Sequence, residues 1–210
     1  MKNVDDLIEG AAELAERGLS KGEIADELNV SRETASWLVE RNESSTVAPR
    51  APTGGPHDIH VDWSALGTNS VRLDAVGTAL SDVLSDHADG VDLTIGIEKA
   101  GVPLATTVAR ILETDLATYA PRKHQWEEGD IEELGGSFSR NFADVDGRDC
   151  FIVDDTITSG TTMSETIAAI EEHGGTPVAG AVLVDKQGLD TLDGVPVEAL
   201  LRVIRVGNDQ

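Results

Sequence analysis

Two neighbouring carboxylates, Asp154 and Asp155, close an apolar run in the stretch CFIVDDTITSGTTM, residues 150–163. Soon after them come Thr158, Ser159, Gly160, Thr161 and Thr162. Hydroxyls and backbone amides at the start of a helix, with a glycine that lets the backbone come close, form a nest for a phosphate group. Carboxylates repel that phosphate and need another partner. Vicinal sugar hydroxyls can donate hydrogen bonds to them, or Mg2+ can be reached through water. One acidic pair plus one phosphate nest points to a ribose 5-phosphate moiety. The doublet alone says little, since Asp5 and Asp6 form another that reads as a solvated helix start. The Gly-x-Gly fingerprint and the P-loop Gly-Lys-Ser/Thr are both missing from the sequence, which argues against nucleotide hydrolysis.

A buried strand must carry the acids, and a helix must start after the hydroxyls. The rest of the chain supplies a matching frame. VRLDAVGTALSDVLSDHA reads as a helix with Leu73, Val76, Leu80, Val83 and Leu84 on one face. DLTIGIEKAGVPLATTVARIL reads as strand, loop and helix, and DLATYAP as a short strand. A charged excursion, RKHQWEEGDIEELGGSFSR, follows. Then come a strand over DCFIVDD, a helix over TMSETIAAIEEHGG, and strands over TPVAGAVLVDK and VPVEALLRV. Alternating strands and helices predict an α/β fold with a mainly parallel, doubly wound sheet. Ligands sit at the carboxyl ends of such strands. The acid pair, EKAG and DKQG all fall there.

The combination resembles the phosphoribosyl pyrophosphate (PRPP) signature of type I phosphoribosyltransferases, in which an apolar strand leads to an acidic pair and then to Thr/Ser-Gly-x-Thr/Ser. IGIEKAGVPLA, residues 95–105, resembles that family's pyrophosphate loop. By this resemblance Lys99 meets pyrophosphate as a point charge, and the amides near Ala100 and Gly101 donate to it. On its own the stretch is also an ordinary strand–helix connection. The likeness runs from about residue 58 to 206, and YAPRKHQ and LVDKQG bring it nearest to orotate phosphoribosyltransferases. It implies Arg122, Lys123 and Lys186 as further ligand-binding residues. No cofactor is required, with Mg2+ accompanying PRPP through water at Asp154 and Asp155.

The pattern breaks where chemistry would be done. The enzymes carry a mobile loop whose lysine and histidine close over PRPP. Here Trp126 stands for the lysine, Glu127 for the following acid and Glu128 for the histidine, and Gly129 matches again. Departing pyrophosphate gathers negative charge that preorganised cations stabilise, and two acids oppose it. If the chain is active, Lys123 and His124 are the candidate catalytic residues. At VDKQG the family's arginine is Lys186, which keeps the charge and loses the bidentate fork. The pattern suggests binding without efficient turnover.

Residues 1–43 read as a separate all-α domain. Leu7, Ile8, Ala11, Leu14 and Ala15 recur at helical spacing, and Gly18 suits the position just past a helix end. Ser20 and Glu23 form a capping box before Ile24, Ala25 and Leu28. Asn29 tolerates a left-handed turn, and Ser31 caps a third helix. SKGEIADELNVSRETASWLVER therefore matches helix-turn-helix spacing, with Val30, Trp37 and Leu38 as anchors. Ser31, Arg32, Glu33, Thr34 and Ser36 would enter a major groove, Arg32 foremost. A helical cap or a protein-binding hairpin is the competing reading. Residues 1–43 hold five basic and eleven acidic side chains, a poor footprint for DNA at ordinary salt. The stretch NESSTVAPRAPTGGPHD has linker composition. It sets a linker at 44–57 and a phosphoribosyltransferase-like domain at 58–210.

The chain has 210 residues, 39 Asp and Glu against 16 Lys and Arg, and a net charge of −23. The acids are spread through periodic apolar segments, which excludes an acidic tail. At molar salt self-repulsion is screened within a few ångströms, so a halophilic archaeal source and a high-salt cytoplasm are expected. Counterion release then gives DNA binding little in any case, and the objection from charge weakens. The single cysteine, Cys150, forms no internal disulfide. No apolar run approaches the ~20 residues of a membrane span, and the acidic start is unlike a signal peptide. A helix-turn-helix joined to a phosphoribosyltransferase-like domain resembles ligand-sensing regulators, nearest the haloarchaeal regulators of sugar catabolism, the GfcR family. That resemblance implies control of central sugar catabolic genes, double-stranded DNA as partner, PRPP or a sugar phosphate as effector, and a homodimer. An orotate or purine phosphoribosyltransferase with a helical appendage is the alternative.

Overall fold

The computed structural model describes residues 4–43, 58–121 and 136–204. The linker expected at 44–57 lies outside them, as do Arg122, Lys123, His124, Trp126, Glu127, Glu128 and Gly129. The chain divides into two compact units, Met1–Asp62 and Trp63–Gln210.

In the first unit the local signals act as their chemistry requires. Helix α1 (Val4–Glu16) is left through Gly18 at φ +87°. Before α2 (Lys21–Glu27), Ser20 Oγ accepts from the Glu23 amide at 3.3 Å. The Glu23 carboxylate in turn accepts from the Ser20 amide at 2.7 Å, completing the capping box. Asn29 turns the chain at φ 50°, and Ser31 Oγ takes the Thr34 amide at 3.2 Å to start α3 (Arg32–Glu43). Ala11, Ile24, Ala25, Leu28, Val30, Ala35 and Leu38 form the core. Ile24 and Leu38 are fully buried, each contributing roughly 1.5–3 kcal/mol. Trp37 packs beside this core, with the Arg41 guanidinium 5.0 Å from its ring centroid. Residues 58–61 close on the turn before α3. The Asp58 carboxylate accepts from the Ser31 amide, the Asn29 side-chain amide donates to the Val61 carbonyl at 3.3 Å, and His60 Nδ1 meets the Leu28 carbonyl.

The second unit is a seven-stranded sheet in the order β3-β2-β1-β4-β5-β7-β6. Its strands are β1 (Leu93–Ile97), β2 (Asp115–Ala120), β3 (Ser137–Phe138), β4 (Asp149–Ile157), β5 (Thr176–Asp185), β6 (Thr191–Leu192) and β7 (Val195–Arg202). The five central strands run parallel, and β3 and β6 add antiparallel edges. The helices are α4 (Ser64–Gly67), α5 (Ser70–Ser85), α6 (Gly101–Leu112) and α7 (Thr161–Glu172).

Alternation along β4 sorts the two sides of the sheet. Cys150 and Ile152 pack with Met163, Ile167 and Ile170 of α7. Phe151 and Val153 pack with Leu80 and Leu84 of α5 and with Leu104 and Val108 of α6. Helices thus cover both faces, as the α/β reading requires. The chain leaves β1 into α6 on one face and β4 into α7 on the other. Between these neighbouring strands lies the crevice where doubly wound sheets bind ligands.

Three details differ from the expected elements. Strand β4 runs two residues past the acid pair, with Thr156 and Ile157 paired to Val184 and Asp185 of β5. Ile157 is 3% exposed, so extending the strand buries a large side chain. The short strands β3 and β6 and the four-residue α4 were not anticipated. Strand β6 turns into β7 through Asp193 at φ 50° and Gly194 at φ +85°, the backbone of a tight two-residue hairpin.

Candidate functional site

The acid pair sits at the carboxyl end of β4, and its members meet different surroundings. Asp154 is half-buried, and its Oδ1 accepts from the Asp155 amide at 2.8 Å. Asp155 is 8% exposed. Its Oδ2 accepts from the Trp63 indole Nε1 at 2.8 Å and from Thr156 Oγ1 at 3.4 Å. Burial pushes the Asp155 carboxyl up from its ordinary range, and the hydrogen bonds from Trp63 and its neighbours partly oppose that.

The hydroxyl loop follows. Gly160 precedes α7 in a left-handed conformation, φ 82°, and caps it without a side chain. Ser159 Oγ and Thr161 Oγ1 lie 3.0 Å apart, and the Thr161 amide donates to Ser159 Oγ at 3.4 Å. Ser159 and Thr161 are exposed, Thr158 and Thr162 half-buried. The first amides of α7 carry the partial positive charge of a helix N-terminus, and hydroxyls lie beside them. That arrangement suits a phosphate.

The loop after β1 reaches the same end of the sheet. Glu98 is held by its amide, which donates to the Tyr119 carbonyl at 2.9 Å, and by its carboxylate, which accepts from Thr118 Oγ1 at 2.8 Å. Lys99 is exposed, and the Glu98–Lys99 peptide bond is cis. Gly101 opens α6 hard against β4. A Cβ there would stand 2.5 Å from the Val153 carbonyl oxygen and 2.9 Å from Asp154 Cα. Only glycine lets this loop approach the acid pair so closely.

The loop after β5 closes the arrangement. Asp185, fully buried, accepts from the amides of Gln187 at 2.7 Å, Gly188 at 3.0 Å and Leu189 at 2.7 Å. Lys186 is 6% exposed, and its amide donates to the Ile157 carbonyl at 2.9 Å. The Gln187 side-chain amide donates to the Thr158 carbonyl, tying this loop to the hydroxyl loop.

Lys99, Asp154, Asp155, Thr158, Ser159, Gly160, Thr161, Thr162 and Lys186 therefore stand on loops, strand ends or the first turn of α7 at the carboxyl end of the sheet. Arg122, Lys123 and His124 fall outside the described residues. Sequence reasoning passed over Trp63 and gave Asp185 no role. Trp63 bonds a residue 92 positions away, and no local pattern announces such a contact. Asp185 was signalled by an acid followed by a Gly-containing turn. Among the described residues no three His, Cys, Asp or Glu converge to hold a metal ion. Two neighbouring carboxylates suit a Mg2+ reached through water.

In the first unit, Arg32 and Glu33 are exposed on the opening turn of α3. Ser31 and Thr34 hydroxyls lie 2.9 Å apart within the helix cap, and Ser36 is half-buried.

The phosphoribosyl transferase domain model matches residues 62–193. Transcriptional regulator GfcR of Halobacterium salinarum is 68% identical over 209 residues, covering 99% of this chain and 99% of that protein. The chain belongs to the GfcR family. GfcR of Haloarcula marismortui is 66% identical over 209 residues, covering 100% of this chain and 99% of its own. GfcR of Methanocella arvoryzae is 48% identical over 98% of this chain and 100% of its own. Among solved structures, the orotate phosphoribosyltransferase of Aeropyrum pernix shares the fold, with TM-score 0.58 and 21% identity. It covers 71% of this chain and 81% of that one. The adenine phosphoribosyltransferase of Thermoanaerobacter pseudethanolicus gives TM-score 0.56 at 19% identity, covering 74% and 94%. The second unit of this GfcR-family chain is thus a type I phosphoribosyltransferase fold, and no described helix is long and apolar enough to cross a membrane.

Proposed function

We propose that the chain is a DNA-binding transcriptional regulator of central sugar catabolic genes, whose second unit senses PRPP or a related sugar phosphate. The observation that carries this reading is the similarity to regulators along the whole chain, 99% of both sequences. It takes in the helix-turn-helix-like unit as well as the phosphosugar-type loops. In that reading α3 presents Arg32 and Glu33 to a major groove. Asp154 and Asp155 take sugar hydroxyls, residues 158–162 take the 5-phosphate, and Lys99 and Lys186 supply positive charge. Arg122 and Lys123 join them by sequence.

Binding without turnover is favoured because Trp126 and Glu128 replace the lysine and histidine of the enzymes' loop. The regulator acts as a homodimer, pairing two reading heads on a palindromic site. It works in a high-salt cytoplasm, to which a net charge of −23 is suited. Footprinting on the DNA upstream of sugar catabolic genes in molar KCl, with and without PRPP, tests the proposal. Protection of a palindromic site is expected, and no protection at any salt would overturn it. Robust PRPP-dependent nucleotide formation from orotate or a purine base would overturn the non-enzymatic part.

A further inference from the structure

The residue that covers Asp155 is the first of the second unit, Trp63. An indole N–H only donates, and it engages Oδ2, one of the two carboxylate oxygens open to a sugar hydroxyl. Asp155 is 8% exposed, so a hydroxyl that uses this oxygen competes with the indole for it. Trp63 precedes a four-residue helix that no side chain caps, and it rests on Gly67.

The residues just before Trp63 are bonded elsewhere. Asp58, His60 and Val61 meet Ser31, Leu28 and Asn29, the turn that starts α3. Only Asp62 separates this strap from the indole. One short stretch of chain is thus fastened at one end to the turn before α3 and at the other to a candidate ligand carboxylate.

We propose that Trp63 is a ligand-linked residue of the sugar site: a sugar hydroxyl replaces its N–H at Asp155, and residues 58–62 carry the change to the turn before α3. This rests on the reading that Asp154 and Asp155 take sugar hydroxyls. A ligand alters DNA affinity only through different binding to two states. Here the states are the indole on Asp155 and the indole off it.

The test uses the full chain in molar KCl with a duplex selected by the wild-type protein from a randomised pool. Duplex affinity is measured with and without ribose 5-phosphate and PRPP for wild type, Trp63→Phe and Asn29→Gly. Trp63→Phe removes the N–H and keeps a ring. Asn29→Gly removes the donor to Val61 and keeps the left-handed turn. Circular dichroism confirms that both fold. In wild type the sugar phosphate is expected to shift duplex affinity about five-fold or more, the lower end of typical allosteric coupling. In Trp63→Phe the shift should fall to nearly nothing, and in Asn29→Gly, where the Asp58 and His60 bonds remain, it should be reduced. A second readout is Trp63 fluorescence in a Trp37→Phe, Trp126→Phe background, which should move to longer wavelength with ligand. Wild-type coupling retained in Trp63→Phe overturns the proposal and leaves the site reading intact, as does a wild type that binds ligand without changing duplex affinity. Calorimetry showing that wild type binds neither ribose 5-phosphate nor PRPP overturns both.

Discussion

Gly101 lies against Asp154 so tightly that a Cβ on the glycine would stand 2.9 Å from the aspartate Cα and 3.1 Å from its Oδ1. The loop after β1 and the acid pair of β4 are therefore fixed to each other through backbone. Gly101→Ala should cost about 1–3 kcal/mol as overpacking. It should also weaken sugar-phosphate binding, because Asp154 must shift. A melt in molar KCl and calorimetry with PRPP check this, and an unchanged melting temperature would contradict the close packing.

Asp155 carries a stability consequence of opposite sign to its function. Its folded-state pKa is raised above the ordinary aspartate range, chiefly by burial. The stability that comes from its protonated form is fully present below the unfolded pKa. It is lost as pH rises through the folded one. Asp155→Asn should therefore raise the melting temperature at neutral pH and flatten its dependence between pH 4 and neutrality. It should also weaken PRPP binding by about ten-fold or more, the loss of one charged hydrogen bond. A variant that melts lower at neutral pH would argue against burial as the dominant effect.

Asp185 holds three consecutive amides with one buried carboxylate. Asp185→Ala leaves these donors without their acceptor and should cost about 1–3 kcal/mol or more. Lys186 and the Gln187 tie to Thr158 lie on the same loop, so ligand affinity should fall as well. Hydrogen exchange at 187–189 is the direct measurement, and faster exchange there is expected.

Arg32→Ala should weaken duplex binding by about five-fold or more, the worth of roughly 1 kcal/mol from one contact. It should leave PRPP affinity unchanged. Ser31→Ala separates cap from contact. It should lower the stability of the first unit by about 1 kcal/mol, since Ser31 Oγ takes the Thr34 amide. Equal effects of Arg32→Ala on DNA and on ligand binding would overturn the assignment of the two roles to separate units.

Local chemistry was readable where one or two neighbours decide the outcome. Ser20 with Glu23, Asn29 at the turn, Ser31 at the cap, and the apolar run of Phe151, Ile152 and Val153 all took their expected forms. The end of β4 was misjudged because the acids were taken as its limit. The β-branched Thr156 and Ile157 were a signal for more strand. The hairpin between β6 and β7 also had a signal, Asp193 followed by Gly194, but strands of two residues show no alternation to confirm it. The long-range contacts were out of reach. Nothing near Trp63 points to Asp155, and nothing near Asp58 points to Ser31, because such pairs are set by where whole elements pack.

Cys150 is fully buried beneath α7, and burial pushes its thiol up to about 12. A thiol so protonated and enclosed is a poor nucleophile, so the folded chain should ignore both oxidants and alkylating reagents. The same sulfur becomes the one reactive handle once the sheet opens. A maleimide pulse during stepwise dilution of KCl would then count open molecules directly, giving an acidic chain with three tryptophans a salt-stability gauge independent of its fluorescence.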